Sequence, residues 1–159
     1  ITYSSSGETA AMAYASVIDV MLLLIRDNAV LLALRSGTGF ADGEWNVPSG
    51  KLEAGEDAAA ALIRETREEI GLILDRASLT LASTVHFRND RAEGRLGLFF
   101  RPQWWDGEPV NAEPHKCARI AWFPLDELPD NTYPYTRIGV DLYRRRENFA
   151  VSGWEPSKT

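Results

Sequence analysis

The chain has 159 residues, of which 45% are hydrophobic and 25% are charged, and this balance is typical of one soluble globular domain. Its formal net charge of -6 argues against binding to the phosphate backbone of DNA or RNA, because such binding depends on clustered Lys and Arg side chains. The single cysteine, Cys117, cannot form an internal disulfide, which leaves the cytoplasm as the expected location.

The predicted elements begin after a polar leader. Residues 1–11 match neither a signal peptide nor a folded element, so we expect a disordered leader or a cloning remnant, followed by one domain over 12–159. Two β-rich runs, 13–25 and 29–35, are joined by an Asp-Asn turn, which predicts a hairpin. The first run is too short to cross a bilayer and contains Asp19, so it is interpreted as a buried strand.

A helix with clear ends follows this hairpin. Residues 36–44 have loop composition, and 45–48 is a short strand ending at a proline. Asp57 is a good N-cap for a helix over 58–70, and Gly71 stands where a left-handed C-terminal cap is usual. Later in the chain we predict strands at about 79–88, 95–104 and 119–123, a short helical turn at 126–128, and a helix over about 135–146.

Three glutamates share one face of the predicted helix over 58–70. Glu65, Glu68 and Glu69 have the i, i+3, i+4 spacing that brings side chains together. Like charges at this spacing repel, so the ordinary alternative is a solvated surface balanced by neighbouring arginines. The preceding loop, PSGKLEAGED, has two glycines whose backbone can approach a ligand closely. Hard oxygen ligands from a loop and a helix suit Mg²⁺, or Mn²⁺ as a substitute.

The spacing over residues 50–72 resembles the Nudix box, GX5EX7REUXEEXGU, in which U is an apolar residue. Thr66 departs from the pattern, since a bulky aliphatic residue is commonest there, but this change leaves the acidic positions intact. The chain therefore resembles the Nudix hydrolases, in particular nucleotide pyrophosphohydrolases of the MutT type. The matching positions are Gly50, Glu56, Arg64, Glu65, Glu68, Glu69, Gly71 and Leu72.

This resemblance implies an α/β fold, an α/β/α sandwich with a mixed β-sheet between helices. It also implies that Glu56 and Arg64 pair and hold the loop against the helix, a role that keeps metal ligands in register. Water would attack a phosphorus atom, with Glu69 or Glu65 as base and Glu113 as a candidate outside the motif. The implied Mg²⁺ ligands are Glu65, Glu68 and Glu69, with a backbone carbonyl of Ser49 or Gly50.

The expected partner is a small nucleotide or another pyrophosphate compound, and a homodimer is compatible with this interpretation. Arg35 and Lys51 are candidates to meet phosphate oxygens, or else ordinary surface cations. Asn46 and Asn131 are candidates to contact a purine edge, or else turn residues. Most of the five tryptophans are expected in the core, and one or two are candidates to stack on a base.

The expected reaction converts a nucleoside triphosphate, oxidised ones included, to a monophosphate and pyrophosphate. The alternative enzymes hydrolyse a nucleotide sugar, ADP-ribose or another pyrophosphate metabolite, and fold alone does not choose among them. A non-catalytic nucleotide-sensing module is the alternative of another class. The intact glutamates Glu65, Glu68 and Glu69 count against that module.

Overall fold

The computed structural model describes residues 13–155, so the predicted leader over 1–11 lies outside the described residues. Within them, nine β-strands and two α-helices form, with a short 3₁₀ helix at Arg76–Ser78. The α-helices are α1 (Ala58–Ile70) and α2 (Pro134–Arg145). The strands are β1 (Val17–Leu22), β2 (Ile25–Arg26), β3 (Ala29–Arg35), β4 (Trp45–Asn46), β5 (Ser49–Lys51), β6 (Leu79–Arg88), β7 (Gly94–Pro102), β8 (Cys117–Pro124) and β9 (Phe149–Ser152).

The strands form two sheets. The larger sheet has the order β5-β1-β7-β6-β9, in which β1 pairs with β7, and β6 with β9, in parallel. Its other two pairings, β1 with β5 and β6 with β7, are antiparallel. In the smaller sheet β3 pairs antiparallel with β2, β4 and β8. The mixed character predicted for the sheet is therefore confirmed.

Strand β1, an interior strand of the larger sheet, is buried on both faces from Asp19 onward. Successive side chains of a strand point to opposite faces, so Val20 and Leu22 pack in one core with α1, while Met21 and Leu23 pack in another with α2. A strand covered on both faces needs a continuous apolar run, which explains the composition of this segment. The two helices thus enclose the sheet, and the predicted α/β/α sandwich is confirmed.

The predicted hairpin over 13–35 is only partly right. The turn at Asp27 and Asn28 forms, with the positive φ angles of 52° and 59° that two-residue hairpin turns require. However, of the two strands in the first run only β2 pairs with β3, whereas β1 pairs with β5 and β7. The backbone changes partners after β1, since Leu23 N–H donates to Phe100 while the Leu24 carbonyl accepts from Leu31. One apolar run therefore supplies strands to both sheets.

Helix α1 has the predicted ends. The Asp57 carboxylate accepts a hydrogen bond from the Ala60 N–H at 2.9 Å, and Gly71 adopts φ 72° while donating to the Arg67 carbonyl. Strands β3 and β6 have the predicted bounds, and the elements predicted at 45–48, 95–104, 119–123 and 135–146 shift by one or two residues at their ends. Neither α-helix among residues 13–155 has the length and apolar character needed to cross a membrane.

Other parts of the predicted structure need correction. The segment 126–128 is not helical: a single turn forms at 125–126, where Glu127 N–H donates to the Pro124 carbonyl, and Leu125 N–H donates to Asn28 in the β2–β3 turn. Strands β5 and β9 were not predicted. Strand β5 lies in the predicted loop before α1 and forms by pairing with β1, and β9 has four residues and pairs in parallel with β6; both pairings join segments distant in sequence.

Candidate active site

Two adjoining cavities lie beside β5. The carboxylate cavity has a volume of about 380 Å³ and the aromatic cavity one of about 360 Å³. Arg35, Asn46 and Ser49 line both, so the two cavities meet at these residues. The carboxylate cavity is defined by Glu53, Arg64, Glu65, Glu68, Glu69 and Glu113. The aromatic cavity is defined by Asp19, Phe40, Lys51, Arg95, Tyr133 and Tyr135.

Glu69 lies between α1 and β5. Its carboxylate accepts a hydrogen bond from the Ser49 N–H at 3.0 Å. Burial, together with repulsion from Glu65, raises the pKa of Glu69 to about 8. Burial also raises the pKa of Glu65. Repulsion from neighbouring carboxylates contributes to both shifts, so a positive charge placed among these groups would be stabilised.

Arg64 connects the loop before α1 to the glutamates of the helix. Its guanidinium donates to both oxygens of Glu56 at 3.0 and 2.7 Å, and to Glu65 at 2.8 Å. A longer contact of 3.4 Å reaches Glu68, and a further hydrogen bond of 3.2 Å reaches the Lys51 carbonyl. The hydrogen bonds from Arg64 lower the pKa of Glu56. The structure thus places the predicted Glu56–Arg64 pair between loop and helix.

Gly50 allows the helix carboxylate to reach the strand. A Cβ atom added at Gly50 would overlap the Glu65 side chain in its present position, so glycine lets that carboxylate lie directly against the backbone of β5. The structure brings the predicted ligands Glu65, Glu68 and Glu69 to one cavity, with Ser49 lining it as well. Gly50 lines the aromatic cavity next to it.

The donor set fits a hard divalent cation in its chemistry. It offers carboxylate oxygens next to the backbone of β5, and two of the carboxyl groups, Glu65 and Glu69, have raised pKa values. Within residues 13–155, no three acidic, histidine or cysteine side chains are grouped closely enough to enclose a cation as they stand. Arg64 is the present partner of Glu65 and Glu68, so a cation would take over those carboxylates from the guanidinium.

The candidate outside the motif, Glu113, also lies in the carboxylate cavity. The loop that carries it is tied to the end of α1, because Val110 and Ala112 donate their N–H groups to the carbonyls of Ile70 and Glu69 at 2.9 and 3.1 Å. These bonds use helix carbonyls that have no partner inside the helix. The loop therefore holds Glu113 opposite the glutamates of α1.

The predicted substrate contacts are placed differently from one another. Arg35 lines both cavities and donates to the Phe40 carbonyl at 2.9 Å, whereas Lys51 lines the aromatic cavity alone. Asn46 lines both cavities and is 7% exposed. Asn131 lines neither; its side-chain amide donates to the Gly43 carbonyl at 2.8 Å and holds two loops together.

The orientation of the Asn46 amide follows from its neighbour Thr136. The Thr136 hydroxyl accepts a hydrogen bond from the Val47 N–H at 3.2 Å and donates one to the side-chain amide oxygen of Asn46, Oδ1, at 3.4 Å. The Asn46 Nδ2 is buried and has no hydrogen-bond partner among residues 13–155. An unsatisfied buried donor is costly, so this amide is suited to a ligand acceptor.

Sequence reasoning missed the residues that form the aromatic cavity. No tryptophan among the described residues lines either cavity, so none is a candidate to stack on a base there; Trp45 packs against Phe123 in the core, as expected for most of the tryptophans. The aromatic side chains present are Phe40 and Tyr133, whose rings meet edge to face at 5.7 Å, with Tyr135 deeper. One signal was visible: Asp19 is a charged residue inside a buried apolar run.

Known proteins are similar to this chain in sequence and in fold. The NUDIX domain matches residues 15–143. The oxidized purine nucleoside triphosphate hydrolase of Danio rerio is 32% identical over 126 residues, which cover 70% of this chain and 80% of that protein. A Mycobacterium tuberculosis protein provisionally described as an 8-oxo-dGTP diphosphatase is 45% identical over 109 residues, covering 67% and 72% of the two chains.

A longer relative and a solved structure are also similar to this chain. The NAD-capped RNA hydrolase NudC of Pseudomonas aeruginosa is 30% identical over 134 residues, which cover 83% of this chain but only 45% of that protein. The MutT NUDIX hydrolase of Burkholderia pseudomallei superposes with a TM-score of 0.73 at 29% identity, covering 80% of this chain and 98% of that one. With the motif, the cavity and the fold in agreement, the chain belongs to the Nudix hydrolase family.

Proposed function

We propose that this protein is a Mg²⁺-dependent nucleoside triphosphate pyrophosphohydrolase, which converts a purine nucleoside triphosphate, oxidised ones included, to the monophosphate and pyrophosphate. The observation that carries the proposal is the pair of adjoining cavities that meet at Arg35, Asn46 and Ser49. One cavity has the chemistry for a metal-bound pyrophosphate and the other for an aromatic base. A nucleotide has the same two-part chemistry.

The phosphate chain belongs in the carboxylate cavity. Glu65, Glu68 and Glu69 would hold Mg²⁺, or Mn²⁺, with a backbone carbonyl of Ser49 or Gly50. The bound metal would neutralise phosphate charge and lower the pKa of the attacking water. Arg35, which lines both cavities, is placed to meet a phosphate oxygen between them.

The proton of the attacking water needs an acceptor in the same cavity. Glu69 and Glu65 are the proposed bases on α1, and Glu113 is the candidate on the facing loop. Because Glu113 comes from a different element, it can accept a proton without leaving a metal-binding position on the helix.

The base belongs in the aromatic cavity. Phe40 is 38% exposed beside Tyr133, which offers a face for stacking. The unpartnered Asn46 Nδ2 offers a hydrogen bond to an acceptor on the base edge. Two relatives are named for oxidised purine substrates, which supports the same choice for this chain.

The test is product analysis with a panel of pyrophosphate compounds. The purified chain is incubated with Mg²⁺ and each of ATP, GTP, 8-oxo-dGTP, ADP-ribose, a nucleotide sugar and NADH, and the products are separated by anion-exchange chromatography. We expect a monophosphate and pyrophosphate from a purine triphosphate. Turnover confined to ADP-ribose, the nucleotide sugar or NADH would overturn the assignment of a nucleoside triphosphate as substrate. Tight binding of one compound without hydrolysis of any would overturn the proposal that the protein is an enzyme.

A further inference from the structure

A charged pair lies at the floor of the aromatic cavity. Asp19 is 6% exposed in the middle of β1, and a buried carboxylate needs compensating hydrogen bonds. Arg95 supplies two of them, since its Nε and Nη2 donate to the two carboxylate oxygens at 2.7 and 2.6 Å. The Tyr135 hydroxyl donates a third at 3.1 Å. The arginine is therefore held in one orientation.

Strand register explains this arrangement. In the parallel pairing of β1 with β7, Val17 lies opposite Arg95 and Asp19 lies opposite Gly97, so the charged residues are diagonal neighbours on one face. A Cβ atom on Gly97 would overlap the ring of Tyr135. Glycine at this position thus lets the tyrosine lie against β7, with its hydroxyl at Asp19.

Arg95 retains a free hydrogen-bond donor. A guanidinium has five N–H groups, and only Nε and Nη2 are used by Asp19. Nη1 makes no hydrogen bond to any part of the described chain, and Arg95 lines the aromatic cavity. The Asn46 Nδ2 is a second donor without a partner in the same cavity.

Hydrogen-bond donors without a partner are grouped around the buried Asp19, whose own carboxylate is already paired. Lys51 adds a third donor, whereas both oxygens of Asp19 already accept hydrogen bonds. The remaining acid, Glu93, is exposed and receives a hydrogen bond of 3.3 Å from Asn89. An amino group on the base would place a donor against donors, whereas an oxo oxygen would satisfy them.

We propose that Arg95 is a specificity-determining residue, whose Nη1 donates to an oxo oxygen of the base and so favours an oxo over an amino substituent. Asp19 and Tyr135 are positioning residues that fix the guanidinium. This inference rests on the proposed function, because it places the base of a nucleoside triphosphate in the aromatic cavity. Arginine pairs well with an oxo oxygen on a purine edge, and a correct pair discriminates by about tenfold or more.

The first test uses the unaltered protein. ITP and ATP carry an oxo and an amino group at the same purine position, and GTP shares the oxo group with ITP. We expect kcat/KM for ITP and GTP to exceed that for ATP by about tenfold or more. Equal kcat/KM for ITP and ATP would overturn the inference and leave the proposed function standing. Hydrolysis of none of the three would remove the proposed function, and this inference with it.

The second test uses variants with a matched control. Arg95→Met should reduce the ITP:ATP ratio of kcat/KM to about one, mainly through a higher KM for ITP. Arg101→Met removes an arginine from the same strand, where Arg101 donates to Tyr143 outside both cavities, and should leave the ratio unchanged. A ratio that Arg95→Met leaves unchanged would overturn the inference.

Folding has a separate control, because Arg95→Met leaves the buried Asp19 without its partner. The double variant Asp19→Asn/Arg95→Met removes both charges and should show the same loss of selectivity. Tyr135→Phe keeps the ion pair and should lower the ratio by a smaller factor. Circular dichroism establishes that each variant is folded. Full selectivity in the folded double variant would contradict the role of Arg95.

Discussion

The carboxylate cavity and the aromatic cavity differ in how the chain builds them. The charged side chains that define the carboxylate cavity come from one continuous segment, the loop after β4 and helix α1, except for Glu113 on a later loop; strands β3 and β8 supply further walls. The aromatic cavity takes side chains from β1, β7, the loop before β4 and the start of α2. The side chains proposed to catalyse hydrolysis are thus close together in sequence. Those proposed to select the base are brought together only by long-range packing.

The strongest way to separate the two cavities is to neutralise Glu69. Glu69→Gln should lower kcat by about 10³-fold or more while base selectivity in the residual activity is unchanged, because the metal site is damaged and the aromatic cavity is not. Glu127→Gln, an exposed glutamate after β8, is the control. Activity of Glu69→Gln within threefold of the unaltered protein would show that the metal site has been misplaced.

A smaller effect on the same cavity comes from Glu56. Glu56→Gln weakens the pair with Arg64, and we expect the Mg²⁺ concentration for half-maximal activity to rise by about 10- to 100-fold. Glu53→Gln is a matched control in the same loop, because Glu53 is 68% exposed at 3.5 Å from Arg64 whereas Glu56 is 15% exposed at 2.7 Å. Equal Mg²⁺ requirements for the two variants would refute the positioning role of Glu56.

The aromatic cavity is tested by Phe40. Phe40→Ala removes the ring beside Tyr133, and since stacking on a base is worth about 1–3 kcal/mol, KM should rise by about tenfold with little change in kcat. Ile73→Ala removes a side chain that is 74% exposed between α1 and the 3₁₀ helix, and serves as control. A fall in kcat with constant KM would place Phe40 in the chemistry of cleavage instead.

The pH dependence of stability distinguishes the cavities without a kinetic assay. The pKa of Glu69 rises from 4.5 to about 8 on folding, so the folded state holds the proton more tightly. The free energy of unfolding of the metal-free protein should therefore fall as pH increases from about 4.5 to about 8.

Mg²⁺ should reverse this loss. It competes with the proton at low pH, so it should raise Tm more at pH 8.5 than at pH 6. Thermal unfolding followed by circular dichroism, in EDTA and in Mg²⁺, measures both effects. Glu69→Gln should flatten the pH dependence, and an equally steep curve in that variant would assign it to another group.

The smallest expected effect lies at the N-terminus of α1. Asp57→Ala removes the cap that accepts from Ala60 and an exposed ion pair with Arg76 at 2.7 Å, so Tm should fall by a few degrees. Base selectivity should not change, since Asp57 lines neither cavity. Asp106→Ala, also exposed, is the control. A change in base selectivity would show that α1 is coupled to the aromatic cavity.

The sequence was informative where the signals are local. The ends of α1 were predicted because the capping interactions of Asp57 and Gly71 lie within a few residues of the helix ends. The glutamate face followed from helical spacing alone. The position of Glu113 in the site could not be predicted from helical spacing, because it depends on hydrogen bonds from its loop to the end of α1.

Long-range contacts explain what the sequence did not reveal. A strand buried on both faces has no polar alternation, so nothing in the run from Val17 to Ile25 marks the change from one sheet to the other. Tyr135 reaches Asp19 only because Gly97 lies beneath its ring. Asn131 stands in a turn sequence and in fact links that turn to Gly43.

The ion pairs of Arg64 bear on how the protein folds before any metal binds. A cluster of carboxylates that relied on metal for its charge balance would hinder folding until metal arrived. Here the guanidinium serves as an internal counter-ion for Glu65 and Glu56, so the glutamate face is assembled in advance. Folding then does not depend on the proposed metal, and removal of that metal with EDTA should abolish activity reversibly while the chain keeps its fold.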